Sequence, residues 1–465
     1  MRRPSSTGHA TGPHGPTGGR TRSSLSRRRF LQSLTAAGAA AAGGGALIGL
    51  TGDRSPGPGP LSVGRGADRT ASGSGGGSPG VDASPGRRLP GAVDDRVLVI
   101  VDLQGGNDGL STLIPAGDPR YHDYRPRLAV PDADVLALDD EVALHPSLAR
   151  LHRRGITTVE GVGPTDGDLS HFAMTERWER GDVTGDNGLR TGFLGRLADS
   201  LDDGSALVGL SMLGPTAHLL TNQAATMALD GPDDLWFLEP NEWSDAAAFR
   251  QGVATFSDHG RAGSGAAGPG RDLLETAAAS YRDLSALAVD LASDEDTEAD
   301  WDTPMIQDGG QLGRSLYFAA DMIAADVGVR VVYTADGSYD THQNHDWQQA
   351  DNLARLDAAI DGFLDRAEGM GFADRVLVAT ITEFGRRVPE SDGGLDHGSA
   401  STMLLAGPVG DRRLGDRPPL DDLDDDDNLR VTVGFDRYLA GLAEDWLGVE
   451  AASVLPGEPE PLQLI

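Results

Sequence analysis

The segment Asp336-Gly337-Ser338-Tyr339-Asp340-Thr341-His342-Gln343-Asn344-His345-Asp346 brings carboxylates and two imidazoles together over a few turns of chain. Oxygen and nitrogen donors at that density suit a divalent cation such as Zn, Mn, Mg or Ca. Three further stretches carry related chemistry. Asp102-Leu103-Gln104-Gly105-Gly106-Asn107-Asp108-Gly109 combines a carboxylate with glycines that let the backbone approach a ligand closely, although Asn-Asp-Gly is equally an ordinary tight turn. Glu383-Phe384-Gly385-Arg386-Arg387 offers an acid and a pair of guanidinium groups, and Asp396-His397-Gly398 offers another acid–imidazole pair. The chain has no cysteine, which excludes disulfides, thiolate metal sites and cysteine nucleophiles. Any metal must then be held by carboxylate, imidazole and backbone oxygen.

Each stretch follows or precedes an apolar run that reads as a buried strand. Arg96–Val101 leads into the Asp102 loop, Gly328–Thr334 into the Asp336–Asp346 segment and Arg375–Thr382 into Glu383. Met403–Ala406 follows Asp396-His397-Gly398, and Ile156–Val159 is a shorter run. Continuous apolar runs of this length suit strands covered on both faces of a mostly parallel sheet. Helical periodicity lies between them, over Gln311–Ala325, Asn352–Met370 and Gly434–Leu447. Alternation of this kind predicts an α/β fold with a mostly parallel central sheet flanked by helices. Ligands of such sheets gather at the strand C-termini, so the polar stretches should meet on one rim. The region from Ala262 to Thr303 reads as a surface helix with a loose connector over Ser293–Asp302.

The first part of the 465-residue chain is of another kind. Ser26-Arg27-Arg28-Arg29-Phe30-Leu31-Gln32 follows a twin-arginine pattern and precedes a mildly apolar Ala/Gly-rich stretch from Leu34 to Leu50. That stretch is too weakly apolar for a stable transmembrane helix. Residues 1–50 are therefore expected to be a signal for Tat export and residues 51–93 a Gly/Pro/Ser-rich linker, with residues 94–465 forming a single α/β domain. The expected location is extracytoplasmic, with the Tat translocase as a partner during export. Membrane contact would come only through the N-terminal segment if it stays uncleaved. The formal net charge is −32, with arginine and histidine as the only basic residues, which disfavours nucleic acid and anionic membranes as partners.

The ordered set of motifs resembles one family. Gln104-Gly105-Gly106-Asn107-Asp108-Gly109 after the first strand, Ser170-His171-Phe172, Tyr339-Asp340-Thr341-His342, Thr382-Glu383-Phe384-Gly385-Arg386 and Asp396-His397-Gly398 together are similar to the DUF1501 family. The resemblance implies Tat export and a relationship to the alkaline phosphatase/sulfatase superfamily, whose metals lie at the strand ends of a central sheet. On that pattern Asp102 is a metal-binding aspartate at the end of the first strand. Ser170 or His171 occupies the nucleophile position at the start of a helix ending at Arg180-Gly181. Asp340 and His342 supply ligands with a shorter spacing than the superfamily motif, with His345 one residue too far. The superfamily's Asp-His pair falls either on Asp396-His397 or, by position after the strand, on Glu383-Phe384. The second is preferred because Thr382-Glu383 ends a convincing strand; His397 is a ligand in both cases. Phe384 in place of a histidine would weaken a second metal site or remove it.

The function this implies is metal-dependent hydrolysis of a small anionic phosphate or sulfate ester. Ser170 would be the nucleophile, His171 a ligand or base, and Arg386 or Arg387 an anion clamp. Ser170 equally suits a helix N-cap, in the context Asp168-Leu169-Ser170 with Glu176 following. The alternative is a non-catalytic secreted or cell-surface binding protein that keeps the fold.

Overall fold

The computed structural model describes residues 95–465 apart from 168, 206 and 229–302. The expected export signal, the linker up to residue 93, Asp168 and nearly all of the helix expected over 262–303 lie outside the described residues. The main sheet and its rim contain β1 (Val97–Leu103), β2 (Thr157–Gly163), β3 (Gly209–Ser211), β4 (Thr226–Ala228), β5 (Val331–Asp336) and β6 (Val376–Ile381). They continue with β7 (Gly385–Arg386), β8 (His397–Gly398), β9 (Ser401–Ala406), β10 (Arg412–Leu414) and β11 (Val433–Gly434). The principal helices are α1 (His171–Arg180), α2 (Phe193–Leu201), α3 (Gly310–Ala324), α4 (His345–Met370) and α5 (Phe435–Gly441).

The main sheet runs in the order β10-β2-β9-β6-β1-β5-β3-β4, with β11 also on β2. β1 lies at its centre, parallel to β5 on one side and to β6 on the other. Its side chains alternate between two cores. Val97, Val99, Val101 and Leu103 pack on one face with Leu316 and Ile323 of α3 and Leu356, Ile360 and Phe363 of α4. Leu98 and Ile100 pack on the other with Met174 and Trp178 of α1, Phe193 and Leu197 of α2 and Phe435 and Tyr438 of α5. Burial on both faces is why the run is apolar throughout instead of alternating. The fold is thus α/β with a mostly parallel sheet between helical layers, as expected.

The exception is β9, antiparallel to both β2 and β6. A strand running against its neighbours starts where they end. The Asp396-His397-Gly398 stretch before β9 therefore reaches the same rim as the loops after β1, β5 and β6.

Three expected elements change extent. β2 runs on to Gly163 because Glu160, which breaks its apolar pattern, is buried between Arg413 (3.0 Å) and Arg417 (2.7 Å). α4 starts at His345, since Asn344 takes a left-handed conformation and the first turns carry polar residues without an apolar stripe. α5 continues from Gly441 into a π-turn over Leu442–Trp446. Among the described residues no helix is long and apolar enough to cross a membrane.

Asp108 and Arg125 form a buried bidentate pair, at 2.6 Å and 3.0 Å. Arg125 also donates to the carbonyls of Arg387 and Val388, while His345 Nε2 lies 3.2 Å from Asp108 Oδ2. The network ties the loop after β1 to the segment after β7. Burial alone would raise the Asp108 carboxyl, but Arg125 and His345 outweigh it and hold it far below the usual carboxylate range. The pair's stabilisation is therefore complete above about pH 4 and declines as pH falls below that. Replacing Asp108 with Ala leaves a buried guanidinium charge unpaired, with an expected loss of about 3–5 kcal/mol in urea unfolding at pH 7. A loss under about 1 kcal/mol would contradict this role.

Candidate metal centre

The rim at the ends of β1, β5 and β6 gathers the polar stretches through backbone contacts. Gly105 and Gly106 adopt positive φ, at 112° and 86°. A Cβ on Gly105 would lie 2.4 Å from the Asp340 amide nitrogen, and one on Gly106 would lie 2.6 Å from the Phe384 ring. The loop can approach the segments after β5 and β6 only because both positions lack a side chain. Glu383 holds it there, accepting hydrogen bonds from the Gly105 and Gly106 amides at 2.9–3.0 Å. The β7–β8 ladder then pairs Arg386 with His397, so Glu383-Phe384 and Asp396-His397 stand in one place.

Histidines and Asp340 converge at the centre. His171, Asp340 and His397 offer ligand atoms that all lie within 4.8 Å of one another. His342 joins them, with Nε2 3.0 Å from both His397 Nε2 and Asp340 Oδ1. His171 Nε2 is 3.1 Å from His397 Nε2. Glu383 Oε1 lies 3.3 Å from His171 Nδ1, and Asp396 Oδ1 lies 3.3 Å from His342 Nδ1. Phe384 closes the inner side, with its ring centroid 4.9 Å from that of His171 and 4.6 Å from that of His397. Asp340 and His342 are 46% and 45% exposed, so the centre opens to solvent on their side.

The electrostatics favour a charged acid and neutral imidazole. Burial would raise the Asp340 carboxyl, but the hydrogen bond and charge of Arg386 outweigh it and keep it below the usual range. Burial lowers His397, against the opposing hydrogen bond with the Leu169 carbonyl. Neutral imidazole and carboxylate are the forms that bind a cation.

Three expected residues are placed differently. Asp102 stands at the end of β1 but outside the convergent group, its carboxylate accepting from the Tyr333 hydroxyl at 2.9 Å. Burial, and secondarily the charge of Glu383, push it up to about 8. Arg386 is buried, and its guanidinium donates to the carbonyls of Gly105, Gly106, Tyr339 and Leu395 and to Asp340. With its nitrogens committed to the protein it cannot clamp a substrate anion, which corrects that expectation. Its neighbour Arg387 is 36% exposed and donates to the His397 carbonyl at 3.4 Å. Ser170 is the N-cap residue of α1 by backbone conformation, but its hydroxyl makes no capping hydrogen bond.

His345 turns away from the centre into the Asp108 network, 2.7 Å from Thr341 Oγ1. Sequence reasoning missed the Leu169 carbonyl, which contacts His397 Nδ1 at 2.9 Å, and Thr382, whose hydroxyl accepts from the Asn107 amide and donates to Leu103 O. Backbone carbonyls leave no trace in side-chain patterns. Thr382 opens the Thr382–Arg386 motif, and that was the available signal.

The family model described as "Protein of unknown function (DUF1501)" matches residues 95–409. The chain belongs to the DUF1501 family. That span of this DUF1501 protein includes every residue of the convergent centre. No curated protein matches the sequence. Among solved structures, the lipoteichoic acid synthase LtaP from Listeria monocytogenes is similar with a TM-score of 0.36 and 10% identity, over 82% of this chain and 79% of that one. A structure described as Ps i-CgsB is similar with a TM-score of 0.33 and 10% identity, over 78% and 75% of the two chains.

Behind Asp102, Tyr333 stacks on buried His218 at 4.6 Å between ring centroids. Burial pushes His218 down to about 3. The unfolded chain takes up a proton near pH 6.5 that the folded chain refuses, so the contribution is complete above that pH. It should fall by up to about 1.4 kcal/mol per pH unit as pH drops toward the folded value. His218→Phe keeps the stacking and removes the proton site. Urea unfolding between pH 7 and 5 should lose that slope in the variant; parallel pH profiles for the two proteins would contradict the assignment.

Proposed function

We propose that this DUF1501 protein is exported through the Tat translocase and acts outside the cytoplasm as a metal-dependent hydrolase of small phosphate or sulfate esters. The observation that carries the reading is the convergence of His171, Asp340 and His397 within 4.8 Å at a solvent-open rim of the sheet. That donor set fits a divalent cation, whose proper ligands are neutral imidazole and ionised carboxylate. The alkaline phosphatase-like architecture implied by the motifs agrees with a centre at the ends of β1, β5 and β6.

The chain's own groups suit an anionic ester. α1 begins beside the centre, and its positive N-terminal end favours the negative group. Ser170 Oγ, adjoining His171 at the start of α1, is the proposed nucleophile. It would form a bond to phosphorus or sulfur as the alcohol leaves, and water would then cleave the seryl ester to release phosphate or sulfate. Arg387 takes the anion-binding role that Arg386 cannot. A bound cation would polarise the ester oxygen and favour the ionised nucleophile.

The test uses protein purified after export and assayed with p-nitrophenyl phosphate and p-nitrophenyl sulfate. Turnover of one of them should vanish with a chelator, return with a divalent metal and fall at least about 100-fold in Ser170→Ala. A metal-loaded protein that cleaves neither ester, yet retains its fold, would leave the non-catalytic binding reading in its place.

A further inference from the structure

The side of each histidine that faces away from the centre determines what the inner side can be. His397 Nδ1 lies 2.9 Å from the Leu169 carbonyl, which can only accept, so Nδ1 carries the proton and Nε2 the lone pair. His171 Nδ1 faces Glu383 Oε1 at 3.3 Å, and His342 Nδ1 faces Asp396 Oδ1 at 3.3 Å. A carboxylate oxygen accepts from a ring N–H, and these contacts suit the same tautomer in both rings. Two short Nε2 contacts result, His397 Nε2 lying 3.1 Å from that of His171 and 3.0 Å from that of His342, with the His342 ring beside the group of His171, Asp340 and His397. Asp340 Oδ1 adds a negative oxygen 3.0 Å from His342 Nε2 and 3.3 Å from His397 Nε2. Nitrogens this close need a proton or a cation between them, and a single cation can serve more than one such contact at once.

Acceptors on the outer nitrogens are also how proteins orient metal-binding histidines. Leu169 takes a left-handed conformation, φ 53°, unfavourable for a non-glycine residue, and its carbonyl receives His397 Nδ1. Glu383 is occupied on its other side by the Gly105 and Gly106 amides, which fits an orienting group better than a ligand. Asp102 is tied to Tyr333.

We infer that the centre is one zinc-type site with His171, His342 and His397 bound through Nε2 and Asp340 through oxygen. Glu383, Asp396 and the Leu169 carbonyl are positioning groups, and Asp102 takes no part in binding the metal. The inference rests on the metal-dependent reading above and deepens it. A nitrogen-rich donor set selects zinc and similar transition metals over Mg and Ca, which prefer oxygen.

The test measures zinc binding to the purified full chain by calorimetry and elemental analysis, with X-ray absorption of the zinc-loaded wild type to count imidazole ligands. One zinc per chain is expected, with about three imidazoles in its first shell. His342→Ala should weaken zinc at least 100-fold, and Glu383→Gln and Asp396→Asn each about 10–100-fold. Asp102→Asn should keep wild-type stoichiometry and affinity. The wild-type ligand count decides the matter even if a variant fails to fold. Two zinc ions per chain, fewer than three imidazoles, loss of zinc in a folded Asp102→Asn protein, or displacement of zinc by equimolar Mg or Ca would overturn the inference. Zinc bound as expected without ester turnover overturns the hydrolase alone. Ester turnover with Mg or Mn in a protein that does not bind zinc overturns this ligand set alone.

Discussion

The guanidinium of Arg386 sits buried where the loops after β1 and β5 meet the β7–β8 ladder. It donates to the Gly105 and Gly106 carbonyls, to Tyr339 and Leu395 carbonyls, and to the Asp340 carboxylate. A buried cation that satisfies backbone carbonyls from separate loops fixes their relative positions, because moving any of them strands a charge-assisted hydrogen bond. Glu383 completes the clasp from the opposite sign, accepting from the amides of the same Gly105-Gly106 turn to whose carbonyls Arg386 donates. The convergence of His171, His342, His397 and Asp340 depends on that arrangement. Arg386 thus sets the geometry of the centre and the charge of Asp340 without facing solvent.

The centre concentrates negative charge. Asp340, Glu383 and Asp396 stand around the histidines, and Asp102 lies close enough to Glu383 for that charge to raise it. Arg386 offsets part of this. A cation among the histidines would offset more. The same physics links metal and fold: an ion that binds only the folded centre stabilises it in proportion to its affinity.

Much of this was legible in the sequence. The strands β1, β5 and β6 showed as apolar runs because burial on both faces demands them, and the polar stretches after them marked the rim. His171, Asp340, His342 and His397 were all among the expected site residues, and the structure brings them together. The Glu383-Phe384 and Asp396-His397 alternatives proved to be neighbours, joined by a two-residue ladder that no local pattern announces. What stayed hidden were environments set by distant partners. Arg386 reads as an anion clamp until Gly105, Tyr339 and Leu395 surround it. Asp102 reads as a ligand, and nothing local announces its bond to Tyr333 from the adjacent strand. Glu160 obscured the second half of β2 because its partners Arg413 and Arg417 come from more than two hundred residues away.

The central claim is that the rim assembles a cation site from histidines held by outward acceptors. Anomalous diffraction at the zinc absorption edge, from crystals of the zinc-loaded full chain, tests it most directly. The account predicts one strong peak bounded by His171, His342, His397 and Asp340, with Glu383 and Asp396 still on the outer nitrogens of their histidines. A peak between Asp102 and Glu383 instead, or no peak on the rim, would contradict it.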